Sequence, residues 1–433
     1  MREKLASRLG FLMLAAGSAV GLGNVWRFPY VVGENGGAAF VLVYFAFLAI
    51  LGFPLLAAEF GIGRGANKSL AAALGDLAPA RFSVFWRRTG ILLASGCFVL
   101  MIYYTDVTGW LLKFAADYWR NSPPGDGAYQ ALIADWKMSG AFMLVAVAIS
   151  AMVCMLGVVK GVERATKWMM LSLLALLVVL AVKSLTLPGA AEGLAFYLKP
   201  DWGRFMEHPL KSIFAAMGQA FFTLSLGIGS MTICASYVGE KHSLVKESVV
   251  IICIDTFVAF IAGLVIFPAC ATYSVAYTSG PGLIFEALPK VFSQMPGGVW
   301  WGAIFFLFLA LAALTTVVAV FECLISGLMD ILAVKRRTAS LAVGFGVALL
   351  TMPCVLSQEV LKWEDFAVSQ LWLPIGALVQ GFFVVNGTFG WGWDGFCSAV
   401  SRGDGWGMPR FMKWHYIVVV PVLILIVLIS GFF

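Results

Sequence analysis

Charge is the scarcest property of this sequence. Asp, Glu, Lys and Arg make up 12% of its 433 residues, against about a quarter in an ordinary soluble domain. That deficit excludes a water-soluble globular enzyme. Histidine is rarer still: His208, His242 and His415 are scattered and offer no metal-ligand spacing. With no nucleophile–base pair or metal motif in view, an intramembrane enzyme is not expected. A disulfide framework is also missing. Cys97, Cys154, Cys234, Cys253, Cys270, Cys323 and Cys354 lie inside apolar runs and Cys397 follows one, so all read as small buried hydrophobes. Arg2, Lys4 and Arg8 precede the first apolar run, but no small-residue cleavage site closes it. It reads as a retained first helix, not a signal peptide.

What the chain has is apolar length. Apolar residues are 61% of the total and come in long blocks; Ile417–Phe433 holds no ionisable residue. Blocks of about 20 residues read as membrane-spanning helices. Eleven are expected: 10–31, 38–62, 88–118, 139–159, 166–187, 211–237, 245–276, 299–333, 338–357, 367–391 and 414–432. The net charge of +6 says less than where the basic residues lie, and no nucleic-acid partner is expected. Most of the 29 fall in alternate loops: Arg2, Lys4, Arg8; Arg64, Lys68, Arg81, Arg87, Arg88; Lys160, Arg164, Lys167; Lys241, Lys246; Lys335, Arg336, Arg337; Arg402, Arg410, Lys413. These loops are then cytoplasmic, which puts the N-terminus inside and the C-terminus outside. The larger external loops are 119–138, 188–210 and 277–298. The last has a short apolar stretch between glycine and proline breaks and reads as a helix dipping back over a cavity mouth.

Glycine interrupts two of these helices. Span 1 reads AAGSAVGLGNVWRFPY with Gly17, Gly21 and Gly23 crowded at its middle, and span 6 reads FFTLSLGIGSMT with Gly227 and Gly229. One such cluster is usually close helix packing. Two, at corresponding positions if spans 1–5 and 6–10 are repeats, fit discontinuous helices around a midplane site. Unwound carbonyls there can bind cations, and half-helix N-termini can bind a carboxylate.

The stretch GSAVGLGNVWRFPY, with ENGGAAF at Glu34–Phe40, FFTLSLGIG at 221–229 and LALAALTTVVAV at 309–320, resembles the neurotransmitter:sodium symporter family over essentially the whole chain. The resemblance implies an all-α membrane protein of the LeuT type. Spans 1–5 (10–187) and 6–10 (211–391) would be inverted five-helix repeats, spans 1 and 6 unwound at midplane, and 414–432 an additional eleventh helix. Eleven helices are similar to some bacterial hydrophobic amino acid carriers, so a plasma (inner) membrane location and a monomer or weak dimer are expected.

By that resemblance the first sodium site takes the Ala19 carbonyl, Asn24, Thr223 and Asp255. The second takes the carbonyls of Gly17, Val20 and Ala312 with the hydroxyls of Thr315 and Thr316. Hard oxygen donors suit Na⁺, although a threonine pair in a membrane helix can equally bond back to its own backbone. A substrate carboxylate would meet the N–H groups of Leu22 and Gly23 and the Tyr104 hydroxyl. An ammonium would meet the carbonyls of Ala19, Phe222 and Thr223, with Ser225. The side-chain pocket would be Leu100, Tyr104, Phe222, Ile228, Thr316 and Val320, with Ser18 nearby. Where the family's amine carriers place an aspartate this chain has Gly21, which argues for a substrate carrying its own carboxylate.

Asp255 stands where chloride-dependent relatives are neutral. Tyr44 and Gln219 match part of their chloride site, so no chloride requirement is expected. Arg27 with Asp365 match the outer gate, and Arg2 with Asp330 the inner one, beside Tyr237. The tryptophan usual near the N-terminus is Leu5 here. Glu59 matches a structural position, while Asp106 and Glu322 match none. A sodium-dependent sensor or channel on the same fold, or a carrier of another small carboxylate-bearing substrate, stays open.

Overall fold

A computed structural model describes residues 3–275 and 282–430, the side chain of Ser430 excepted. Among them, nine helices are long and apolar enough to cross a membrane alone: Ala38–Ala66, Ala80–Trp119, Trp136–Met155, Val158–Leu185, Leu244–Thr272, Gly298–Leu332, Arg336–Leu356, Gln358–Val385 and Met412–Ile429. The pair Arg8–Ala19 and Gly23–Glu34, bent by 53°, makes a tenth crossing and is span 1. Span 6 is divided between Pro209–Thr223 and Ser230–Ser236, with residues 224–229 between the halves. No strand forms among the described residues.

Burial separates core from rim. In span 8 (Gly298–Leu332), 83% of the most apolar window is enclosed, against 33% in span 5 and 28% in span 11. Outward-facing Val178, Val182, Leu341, Phe345, Leu349, Val422 and Leu425 are exposed, an apolar belt that only lipid can cover without cost.

Span 10 differs from its expected extent. It begins at Gln358, not 367, because its outer turns carry Glu359, Lys362, Glu364 and Asp365 and so read as loop by hydropathy. The helix can leave the hydrocarbon and carry on in water. In the loop expected over 277–298, residues 276–281 lie outside the described residues, and the rest is helical over Leu283–Gln294. Its Phe285 packs against Trp26, Trp110, Phe114 and Tyr129.

Both breaks have a local cause. In span 1, Val20 turns extended (φ −71°, ψ 101°), so the following residues leave the helical path. In span 6, Ser225, Gly227 and Gly229 all take positive φ (49°, 100° and 90°). Gly227 is required twice: its φ favours glycine, and a Cβ there would stand 2.1 Å from the Leu373 carbonyl oxygen of span 10. The second half of span 6 starts with bare N–H groups, which Glu59 of span 2 satisfies. Its carboxylate accepts from the amides of Gly227 (2.5 Å), Met231 (3.2 Å) and Thr232 (3.2 Å).

Candidate functional site

The two breaks face each other and bring three of the four expected donors, Asn24, Thr223 and Asp255, together. Asn24 Nδ2, just past the span 1 break, donates to Asp255 Oδ1 at 2.7 Å, to the Asp255 carbonyl at 3.1 Å and to Thr223 Oγ1 at 3.1 Å. Thr223, the last helical residue before the span 6 break, donates to Asp255 Oδ2 at 2.9 Å. Asn24 Oδ1 accepts from the Gly21 amide at 3.1 Å. Asp255 is fully buried, and its side-chain partners among the described residues are both neutral. A buried carboxylate facing only neutral groups needs a cation or a proton. The oxygens that Asp255 and Thr223 present there suit a hard monovalent cation.

The second oxygen set forms on span 8. Thr316 Oγ1 lies 3.2 Å from the Gly17 carbonyl, 3.4 Å from that of Val20 and 3.4 Å from that of Ala312. Thr315 Oγ1 donates to the Ala312 carbonyl at 2.8 Å, the back-bonded rotamer. Gly17, Val20, Ala312 and Thr316 are therefore in one cluster, with carbonyls of span 1 facing the Thr316 hydroxyl of span 8, while the Thr315 hydroxyl stays on its own helix.

Between the breaks lies a small, nearly closed cavity of about 10 Å³ lined by Ala19, Gly21, Gly23, Leu100, Tyr104, Phe222, Ser225, Thr316 and Leu373. Eight of these were expected; Leu373 was not, since nothing in its apolar surroundings marks it. Ser18, Thr223, Ile228 and Val320 are buried around the cavity without lining it. The Leu22 amide donates to Tyr104 Oη at 3.0 Å, so two of the three expected carboxylate donors, the Gly23 amide being the third, lie side by side.

Beyond this cavity lies a larger one, about 250 Å³, which includes Leu22, Trp26, Arg27, Tyr30, Lys362 and Asp365. Tyr104 and Phe222 line both and form the partition between them. Arg27 and Asp365 share the outer cavity, but no ion pair within 4.0 Å joins them. The Arg27 guanidinium instead lies 4.5 Å above the Phe222 ring.

The opposite side is tied shut. Glu322, which sequence alone could not place, is fully buried and forms a two-pronged pair with Arg336 (2.7 and 2.9 Å). Tyr237 Oη donates to the same carboxylate, and Ser326 Oγ does so at 2.9 Å. Arg336 also donates to the Cys154 carbonyl at 3.1 Å. Spans 4, 6, 8 and 9 thus meet at one carboxylate. Asp330 accepts from the amide and hydroxyl of Ser69 at 2.8 and 2.7 Å; its expected partner Arg2 lies outside the described residues. In place of an N-terminal tryptophan, backbone holds the leading segment. The Leu5 amide donates to the Tyr237 carbonyl at 3.1 Å, and Glu163 accepts from the amides of Ala6 and Ser7 at 2.8 and 3.2 Å.

This network gives a first prediction. Glu322→Gln keeps the shape but strips Arg336 of its counter-charge, which should cost about 2 kcal/mol after allowance for partial exposure, or about 30-fold in the closed-to-open ratio. Amide hydrogen exchange over Glu3–Ser7 and Tyr237 should accelerate. Unchanged exchange there would show that the pair does not hold this side closed.

Asp106 stands apart from all of this. Its Oδ1 accepts from Ser139 at 2.8 Å, Ser139 accepts from Trp110 at 2.8 Å, and its Oδ2 is buried without a described partner.

The sequence comparisons agree with this geometry. The profile of the Sodium:neurotransmitter symporter family matches residues 2–125 and 129–433. A sodium-dependent transporter of Bacillus subtilis, YhdH, is 34% identical over 98% of this chain and 96% of its own length. A sodium-dependent transporter of Haemophilus influenzae is 31% identical over 100% of this chain and 98% of its own. The sodium- and chloride-dependent taurine transporter of Bos taurus is more distant, at 27% over 98% of this chain and 77% of its own. Among solved structures, MhsT in complex with L-phenylalanine superposes with a TM-score of 0.88 at 35% identity, covering 100% of both chains. By fold, by its broken helices and by a match spanning nearly its full length, this chain belongs to the sodium:neurotransmitter symporter family.

Proposed function

We propose that this protein carries a hydrophobic amino acid inward together with two sodium ions, by alternating access and without chloride. The observation that carries the reading is the buried Asp255 carboxylate, whose partners are neutral and which stands beside the break that forms the substrate cavity. With a cation beside it, it is a negative charge at the first oxygen set. An anion supplied from solution becomes unnecessary. The apolar lining supplied by Leu100, Phe222 and Leu373 penalises charged side chains by desolvation and suits leucine, methionine or an aromatic residue. Support comes also from MhsT, which was solved with L-phenylalanine bound.

The tied side corresponds to the cytoplasmic face by the distribution of Lys and Arg, with the N-terminus inside and the C-terminus outside. The outer cavity then opens to the exterior. Two sodium ions entering down 100 mV and a tenfold gradient release about 7 kcal/mol, enough for about 10⁵-fold accumulation of a zwitterion.

Uptake of labelled leucine, methionine and phenylalanine into proteoliposomes tests this directly. Accumulation above the external concentration is expected with an inward sodium gradient, equally in chloride and in gluconate. Binding without accumulation would indicate a sensor, and equilibration without accumulation a channel. Loss of uptake in gluconate would overturn the role given to Asp255.

A further inference from the structure

On the inner side of the span 6 break, two thiols face each other. Cys97 of span 3 and Cys323 of span 8 bring their Sγ atoms to 3.7 Å, and both are buried. Each thiol also donates to a carbonyl of the break. Cys97 reaches Ile228 O at 3.3 Å, and Cys323 reaches Gly229 O at 3.4 Å. The Ile228 carbonyl leaves the helical hydrogen-bond pattern where Gly227 and Gly229 take positive φ, so the Cys97 thiol replaces a missing backbone partner, while the Gly229 carbonyl also accepts from the Ile233 amide at 3.2 Å.

The placement relates the pair to the site. Cys97 lies two helical turns from Tyr104 on one face of span 3, and Cys323 lies two turns from Thr316 on one face of span 8. The thiols therefore sit on the rows of side chains that carry Tyr104 and Thr316 to the substrate cavity, yet neither lines it. Cys234 donates to its own helix at the Ser230 carbonyl, 3.3 Å away. Among the described residues, no group of three or more His, Cys, Asp or Glu side chains is placed to hold a metal ion. What remains is a dithiol.

We propose that two-electron oxidation closes Cys97 and Cys323 into a disulfide, which releases the span 6 break from spans 3 and 8 and stops transport reversibly. The sulfurs must approach from 3.7 Å to about 2.0 Å, between spans 3 and 8 that already pack together. A membrane-permeant azodicarboxamide is the oxidant. One thiolate adds to its N=N bond, and the second attacks that sulfur. The S–S bond forms, the S–N bond breaks, and a hydrazine leaves with the two electrons and two protons that the thiols gave up. Both S–H donors vanish in the same step, so the Ile228 carbonyl loses its thiol partner and the Gly229 carbonyl keeps only the Ile233 amide.

The uptake readout rests on the transport reading above; the chemical readouts do not. Purified protein in proteoliposomes is treated with the azodicarboxamide and digested without reduction, and its peptides are mapped by mass spectrometry. Amide exchange over residues 224–230 and sodium-driven uptake are measured before oxidation, after it, and after a thiol reductant. The expected result is a Cys97–Cys323 cross-linked peptide, faster exchange in that segment, and an uptake loss of tenfold or more that the reductant reverses. C97S and C323S, whose hydroxyls can still donate to the carbonyls, should show none of these changes relative to their own untreated state. Absence of the cross-linked peptide overturns the proposal. So does the cross-link with exchange or uptake unaltered, or an equal uptake loss in C97S. If untreated protein shows no uptake, the transport reading fails, while the peptide map and the exchange still decide the dithiol.

Discussion

Asp255→Asn is expected to weaken sodium binding by about 100-fold or more and to make what uptake remains dependent on chloride. The substitution preserves size and most hydrogen-bonding shape, so the effect reads the charge. In the native arrangement the carboxylate is fully buried and held by Asn24 at 2.7 Å and Thr223 at 2.9 Å, neither of which can neutralise it. Removing one member of a buried charge pair costs about 3–5 kcal/mol. At 1.4 kcal/mol per decade, that is at least 100-fold in affinity. The loss should appear as a higher sodium concentration for half-maximal thermal stabilisation. Chloride enters because the site already holds an idle donor. The Tyr44 hydroxyl is buried without a hydrogen-bond partner among the described residues, whereas Gln219 Nε2 donates to the Gly23 carbonyl at 2.8 Å. An anion beside Tyr44 restores the missing charge. Unchanged sodium affinity in the variant would remove Asp255 from the cation site altogether.

How far the sequence reached follows from what each feature needs. The broken helices were legible because glycine leaves a mark in an apolar run, and the structure divides spans 1 and 6 at those glycines. The oxygen donors came from the family resemblance, because the carbonyls of Gly17, Val20 and Ala312 leave no side-chain mark and a threonine pair can equally bond back to its own helix, as Thr315 does. Glu322 was not, because its meaning depends on Arg336 across a turn between two spans and on Tyr237 from a third. Hydropathy likewise cannot distinguish a helix that continues into water from a loop, which is why the outer turns of span 10 were missed. Leu373 was invisible for the opposite reason: one apolar residue among many acquires a role only because span 10 passes backbone-to-backbone against the span 6 break. The same closeness makes the Gly376 position intolerant, since a Cβ there would stand 2.0 Å from the Gly227 carbonyl oxygen.

Gly21 joins the substrate argument to a physical limit. A Cβ built at Gly21 would lie 2.5 Å from Tyr104 Oη and 2.6 Å from Thr316 Oγ1. Those two oxygens belong to the carboxylate corner and to the second oxygen set, so neither can retreat without opening a site. Gly21→Ala should therefore reduce sodium-driven uptake at least tenfold, in line with the 1–3 kcal/mol that overpacking of a tight interior costs. Gly21→Asp should abolish it. The larger side chain meets the same two oxygens and adds a second carboxylate near Asp255, where like charges repel in a low dielectric. The aspartate variant should not gain amine transport either, because binding an amine there would require the Tyr104 and Thr316 corner to be rebuilt around the new side chain. Gly218→Ala is the control: it lies in the first half of span 6, a Cβ there meets nothing within 4 Å, and alanine favours helix, so uptake should persist. Uptake of amino acid by Gly21→Asp at the native rate would show that the gap at residue 21 is not what selects the substrate. Loss of uptake in both alanine variants would show that the transporter fails for want of flexible helices, not for want of space beside Tyr104.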